Sequence, residues 1–162
     1  MRQAGRYLPE FREIRKLNPD FINLCLNDNL SSEITLQPLK RFNLSAAIIF
    51  SDILMVPYGL GQKVNFKKNF GPELGDINLK DFLNINKEEF IKKLQPIYNS
   101  INKVKSNILI KKKNLIGFVG APWTLLIYMI NKKSPKKKID SSFFNNKNLI
   151  NEILKKLEKF LI

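Results

Sequence analysis

Apolar residues near the amino terminus recur at helical spacing. Phe11 and Ile14, with Leu17 or Leu8, form an inward stripe behind Pro9, and proline is well suited to a first helical turn. A short helix is predicted from Pro9 to Leu17, ended by Asn18-Pro19. Asp20 is placed to cap a second helix over residues 21 to about 27, and Ser31 or Ser32 to start a third toward Leu39, limited by Pro38. The compact run Ala46-Ala47-Ile48-Ile49-Phe50 has the length and β-branched content of a strand buried on both faces. Residues 55 to 86 read as irregular, punctuated by Pro57, Gly59, Gly61, Gly71, Pro72 and Gly75.

Further on, Asn86 and Glu89 have capping-box spacing ahead of Phe90, Leu94, Ile97, Ile101 and Val104, a helical stripe interrupted by Pro96. Either that helix kinks at Pro96 or two shorter helices meet there. Leu115-Ile116-Gly117-Phe118-Val119-Gly120 is predicted as a second buried strand, and residues 124–130 as a helix after the turn at Ala121-Pro122-Trp123. Trp123 reads most simply as a packing residue at the sheet rim. Residues 132 to 148 are loop-like. The clearest amphipathic helix follows, with Leu149, Ile150, Ile153, Leu154, Leu157 and Leu161 on one face and Glu152 and Lys156 at i and i+4. Two buried strands, each followed by helices, predict an α/β architecture whose strand edges need covering.

Composition changes this picture little until the arginines are separated from the lysines. The chain has 162 residues and a net charge of +14. The excess is lysine, 23 against five arginines, and it accompanies abundant asparagine, isoleucine and phenylalanine, a joint bias toward A- and T-rich codons. The lysine clusters lie beside Asn, Gly, Ser or Pro without alternating aromatics, so no nucleic-acid platform is expected. No apolar run is long enough for a membrane span, and the opening residues lack the apolar stretch of a secretory signal. The lone Cys25 rules out an internal disulfide and is expected to be a small buried apolar residue.

Four of the five arginines fall within the first 15 residues: Arg2, Arg6, Arg12 and Arg15. Guanidinium matches carboxylate in a planar, bidentate way that ammonium does not, so the cluster points to a multiply anionic ligand. For Arg12 and Arg15, pairing with Glu10 and Glu13 on a helix face is the simpler reading. With no histidine and one cysteine, a histidine-based triad and the common structural zinc sites are excluded, and no glycine-rich nucleotide motif is present. Asp52 follows the first strand at its carboxyl end, where parallel α/β folds bind ligands. It can favour a cationic intermediate or accept N–H hydrogen bonds, or simply cap the next turn. Tyr128, past the second strand, has a phenol able to donate to a carboxylate, although a structural tyrosine is the commoner case.

Three segments resemble one family. Met1-Arg2-Gln3-Ala4-Gly5-Arg6-Tyr7-Leu8-Pro9-Glu10-Phe11-Arg12 resembles the opening signature of the uroporphyrinogen decarboxylases. Thr35-Leu36-Gln37-Pro38, Arg41-Phe42 and Ala46 through Leu54 are similar to a second landmark, and Gly117 through Leu125 with Tyr128-Met129 to a third, in the same order and spacing. The resemblance implies a cofactor-free (β/α)8 TIM barrel, present here as an incomplete amino-terminal fragment forming one partial domain over 1–162. It also implies a cytoplasmic homodimer that acts on uroporphyrinogen III, with neither nucleic acid nor membrane as partner. It converts that substrate to coproporphyrinogen III, on the path to haem and chlorophyll, by removing four acetate carboxyls as carbon dioxide.

By the same resemblance, Arg2 and Arg6 bind substrate carboxylates, and Gln3, Ala4 and Gly5 shape that wall. Asp52 accepts the pyrrole N–H groups and stabilises the cationic ring, and Tyr128 sits near the reacting acetate. The chain departs from the family in starting late, in Ser45 and Ile130-Asn131, and in lacking the later serine and histidine, so isolated 1–162 is expected to be inactive and poorly folded. Two other readings stay open: a degenerate tetrapyrrole- or partner-binding fragment, and a related cobalamin-dependent methyltransferase.

Overall fold

The computed structural model describes residues 5–67, 70–134 and 145–161. They form two compact units. The first holds the described residues up to Asp52 together with Leu94–Phe118, and the second holds Ile53–Lys93 and the described residues from Val119 onward.

In the first unit, α1 (Pro9–Leu17) forms as its stripe predicts. Leu8 and Phe11 are buried, whereas Leu17 is 80% exposed, which settles the inward choice for Leu8. Asn18 ends the helix by donating both its backbone and side-chain N–H groups to the Ile14 carbonyl at 2.9 Å. Asp20 caps α2 (Phe21–Cys25) by accepting from the Asn23 N–H at 3.0 Å.

The third helix differs from expectation. α3 spans Asp28–Arg41, starting at an Asn27 cap that accepts from Asn29 and Leu30 N–H groups, and it continues through Pro38. Burial offsets the backbone bond lost there: every residue from Ile34 to Leu39 is buried. The charge pairs differ too. Glu10 pairs with Arg41 at 2.7 Å rather than with its helix neighbours, and Arg15 donates to the Asn18 carbonyl at 2.5 Å.

β1 (Ala46–Ile48) pairs in parallel with β4 (Asn114–Ile116) in the register Ala46↔Asn114, Ala47↔Leu115 and Ile48↔Ile116. Burial alternates along β1. Ala47 and Ile49 join Leu36, Leu39, Val104 and Ile110 in one core, while Leu8, Phe11, Leu24 and Ile34 make a second. β1 is thus buried mainly on one face. β4 is not the fully buried strand expected: it ends at Ile116, and Ile116 and Phe118 are 46% and 48% exposed. Among the described residues β4 pairs only with β1, so its apolar run has one neighbour instead of the two of a central parallel strand.

The capping box forms as its spacing requires. Asn86 accepts from the Glu89 N–H at 2.9 Å, Glu89 accepts from the Asn86 N–H at 3.3 Å, and α6 runs over Lys87–Lys105 without a break at Pro96. Its residues up to Lys93 belong to the second unit and those from Leu94 to the first.

The second unit corrects the irregular reading of residues 55–86. It contains α4 (Met55–Gly59), an antiparallel pair of β2 (Val64–Lys67) and β3 (Gly71–Leu74), and α5 (Leu79–Asn84). Gly71 opens β3 with φ of 88°, a conformation that suits glycine. α7 (Pro122–Asn131) begins with proline and includes Trp123, which is 52% exposed in the first turn. A side chain at Gly120 would meet Leu125 at 2.7 Å, so the chain enters α7 by a close approach that needs glycine. α8 (Lys147–Leu161) contacts α7, with Ile153 and Leu157 fully buried like Leu125, Leu126 and Met129. Lys156 does not turn to Glu152. Its ammonium donates to the Leu83 and Ile85 carbonyls at 2.7 and 2.5 Å, closing the end of α5.

The architecture is therefore α/β: one parallel pair joined through intervening helices, one separate antiparallel pair, and no closed barrel among the described residues. It is that of an incomplete TIM-barrel-like fold. No described helix is long and apolar enough to cross a membrane.

Candidate functional site

The first unit carries Gly5-Arg6, just ahead of α1, and the segment that leads from β1 to Asp52. Asp52 lies beyond the carboxyl end of β1 and is half-buried; Arg6 is exposed. Neither stands on an isolated loop. The Arg6 guanidinium lies 5.4 Å from the centre of the Phe21 ring, a cation–π distance, and that ring meets Phe50 edge-on at 5.8 Å. Phe11 contacts the Phe50 ring at the same separation. The Phe50 N–H donates to the Thr35 hydroxyl oxygen on α3 at 2.9 Å, just past the last ladder bond from Ile49 N–H to the Ile116 carbonyl. On the other side, a Cβ at Gly5 would lie 3.3 Å from Pro38, so α3 also backs the arginine loop.

The charges of Arg6 and Asp52 both bear on the buried Cys25 thiol. The Cys25 thiol is 1% exposed and its pKa is pushed up to about 12, first by burial and next by the Asp52 carboxylate; Arg6 and Arg15 oppose that shift, and Asp20 adds to it. As a buried thiol it is inert, in keeping with its expected packing role. Arg6 lies over the Phe21 ring, Phe21 meets Phe50, and Asp52 follows Phe50 by two residues, so the guanidinium and the carboxylate singled out from sequence share these aromatic supports. The signals that sequence reading missed are the supports: Phe21 and Phe50 as aromatic braces, and Thr35 and Pro38 on one face of α3.

Tyr128 belongs to the second unit, on α7, partly buried between the buried Ile127 and Met129. Arg2, Gln3 and Ala4 lie outside the described residues. A surface cleft of about 580 Å³ at the β2–β3 pair is lined by Lys67, Phe70, Glu73, Lys132 and Lys133 among others, and contains none of the expected site residues. Two of its lysines are engaged, Lys67 with Glu73 at 2.7 Å and Lys132 with Asp76, so the cleft is less cationic than its composition suggests. Among the described residues no three acidic or cysteine side chains gather as metal ligands would.

A parallel strand pair joined through helices is the pattern of α/β proteins, and the described part is consistent with an incomplete TIM-barrel-like fold. Within that class the relationship is specific. The family model described as uroporphyrinogen decarboxylase (URO-D) matches residues 1–162, and the chain belongs to that family.

The uroporphyrinogen decarboxylase of Wigglesworthia glossinidia brevipalpis is 45% identical over 166 residues, covering 100% of this chain and 46% of the relative. That of Rickettsia massiliae is 42% identical over 159 residues, covering 95% of this chain and 45% of the relative. That of Chelativorans sp. is 45% identical over 130 residues, covering 80% and 38% respectively. The chain spans less than half the length of these relatives.

Proposed function

We propose that this chain supplies the amino-terminal part of a uroporphyrinogen decarboxylase, a lyase converting uroporphyrinogen III to coproporphyrinogen III. The observation that carries this reading is the link from Arg6 through the Phe21 and Phe50 rings to the segment that bears Asp52, in a chain that belongs to the family. Residues 1–162 are then part of a barrel domain, and the half-exposed Ile116 and Phe118 beside a strand paired on one side are what such a part would present. The complete enzyme is a cytoplasmic homodimer in this reading.

The chemistry fits the residues. A substrate with eight carboxylates calls for several guanidinium partners, the role assigned to Arg2 and Arg6, with Gln3, Ala4 and Gly5 forming the wall between them. Protonation of a pyrrole carbon makes the ring cationic. The bond from the acetate methylene to its carboxylate then breaks, the electron pair flows into the ring, and carbon dioxide leaves. A proton added to the methylene carbon and one lost from the ring restore the pyrrole and leave a methyl group. Asp52 accepts the pyrrole N–H groups and favours the cationic ring; Tyr128 stands near the departing acetate.

Uroporphyrin, the stable oxidised ring system with the same eight carboxylates, tests the binding half of the proposal. Titration of purified 1–162, followed by porphyrin fluorescence, is expected to show binding that weakens about tenfold in Arg6→Gln. It should weaken likewise in Asp52→Asn, and with coproporphyrin, which keeps four carboxylates. Uroporphyrinogen III incubated anaerobically with the chain alone should remain undecarboxylated. Binding indifferent to both substitutions would refute the assigned site, and turnover by the chain alone would refute its incompleteness.

A further inference from the structure

Thr35 is 3% exposed in the middle of α3, and its hydroxyl is used twice. It donates to the Ser31 carbonyl at 2.7 Å and accepts from the Phe50 N–H at 2.9 Å. The first bond fixes the hydroxyl hydrogen within the helix and so aims a lone pair outward at Phe50. The second continues, from a side chain, the backbone bonding that the β1–β4 ladder ends at Ile49. Phe50 is thereby held at its backbone by Thr35 and at its ring by Phe11 and Phe21. Asp52 is two residues further on.

Such a short connection transmits backbone placement directly, because only a few dihedral angles lie between the Phe50 amide and the Asp52 carboxylate. Pro38, three residues along α3 from Thr35 and hence on the same face, meets Gly5 beside Arg6. One helix face therefore braces both sides of the candidate site. A valine at position 35 would match threonine in shape and make neither hydrogen bond.

We propose that Thr35 is a positioning residue for Asp52: its hydroxyl fixes the backbone at Phe50, just past β1, so that the carboxylate is presented at one defined place. The consequence for the reaction rests on the reading of Asp52 as the acceptor for pyrrole N–H groups, whereas the positioning itself does not.

The test uses isotopically labelled 1–162 as Thr35→Val, Thr35→Ala and Thr35→Ser, with Asp52→Asn identifying the carboxyl carbon resonance of Asp52 by its loss. Loss of the hydroxyl should displace that resonance and speed exchange of the Phe50 amide about tenfold or more while leaving the Ile49 amide slow, and serine should restore both. Uroporphyrin affinity should fall with the same pattern. If the resonance and exchange respond but affinity does not, positioning stands and the functional reading of Asp52 fails. If neither responds in a folded hydroxyl-free variant, the proposal is overturned. Failure of both valine and alanine variants to fold, with serine folding normally, would make Thr35 a stability residue and overturn it as well.

Discussion

Raising the pH should destabilise the first unit through Cys25, by an amount its burial fixes. The thiol sits at 1% exposure, with its pKa raised from 9.0 to about 12. Between those values the unfolded chain loses the thiol proton and the folded chain keeps it, so the unfolded state binds fewer protons and stability falls as pH rises. The contribution is complete below pH 9 and declines upward from there. With one pKa unit equivalent to about 1.36 kcal/mol, the loss at pH 10 is about 1.4 kcal/mol, a tenfold rise in the unfolding constant.

Lysines and tyrosines titrate in the same range, so the comparison must be differential. Urea unfolding of the native chain and of Cys25→Ala at pH 8 and pH 10 gives it, because groups common to both cancel. The stability advantage of the native chain over Cys25→Ala should shrink by about 1.4 kcal/mol between the two pH values. An advantage unchanged at pH 10 would mean that the thiol ionises as freely in the folded chain as in the unfolded one. That result would refute the burial of Cys25, and with it the packing of α2 beneath the segment that carries Asp52.

Two further outcomes concern helix ends. Asn27→Ala removes the cap that satisfies the Asn29 and Leu30 N–H groups and should lower stability by about 1 kcal/mol in urea unfolding, with Asn27→Asp retaining most of it. Lys156→Met keeps the apolar stem but leaves the Leu83 and Ile85 carbonyls without their ammonium donor; thermal unfolding should show a loss of about 1–2 kcal/mol, and Glu152→Gln should show almost none because Lys156 does not depend on Glu152.

How far the fold could be read from sequence depended on whether the deciding interaction was local. The Asp20 cap, the Asn86–Glu89 box and the stripe of α8 are set by residues within one or two turns of each other, and all three form as their spacing requires. The sequence shortens α3 at both ends, because Ser31 and Ser32 compete with Asn27 as its cap and Pro38 carries a local penalty. The compensation, burial from Ile34 through Leu39 and the contact with Gly5, comes from outside the helix. The β2–β3 pair was hidden in the same way. Val64 and Leu74 are buried partners across the register, but each stands in a short run between glycines and prolines, with too few residues for alternation to show. β4 differs in the opposite sense: its apolar run is real, and its exposure follows from having one strand neighbour among the described residues, which no window of sequence reveals.

The candidate site divides along the same line. Arg6 and Asp52 stand out in the sequence because their chemistry is unusual for their setting: arginine crowded at one end of a lysine-rich chain, and a carboxylate directly after an apolar strand. Thr35 is not legible as anything but a helix residue, since its partner is fifteen positions away. What distinguishes it is a buried hydroxyl committed at both its donor and an acceptor position, which only the packed structure brings about. Side chains that meet a substrate declare themselves by type, whereas those that hold them in place do so by location. Substituting Thr35 should therefore be judged by where the Asp52 carboxylate goes rather than by how much stability is lost, because a two-kcal/mol defect is ordinary for any buried hydroxyl and a displaced carboxylate is not.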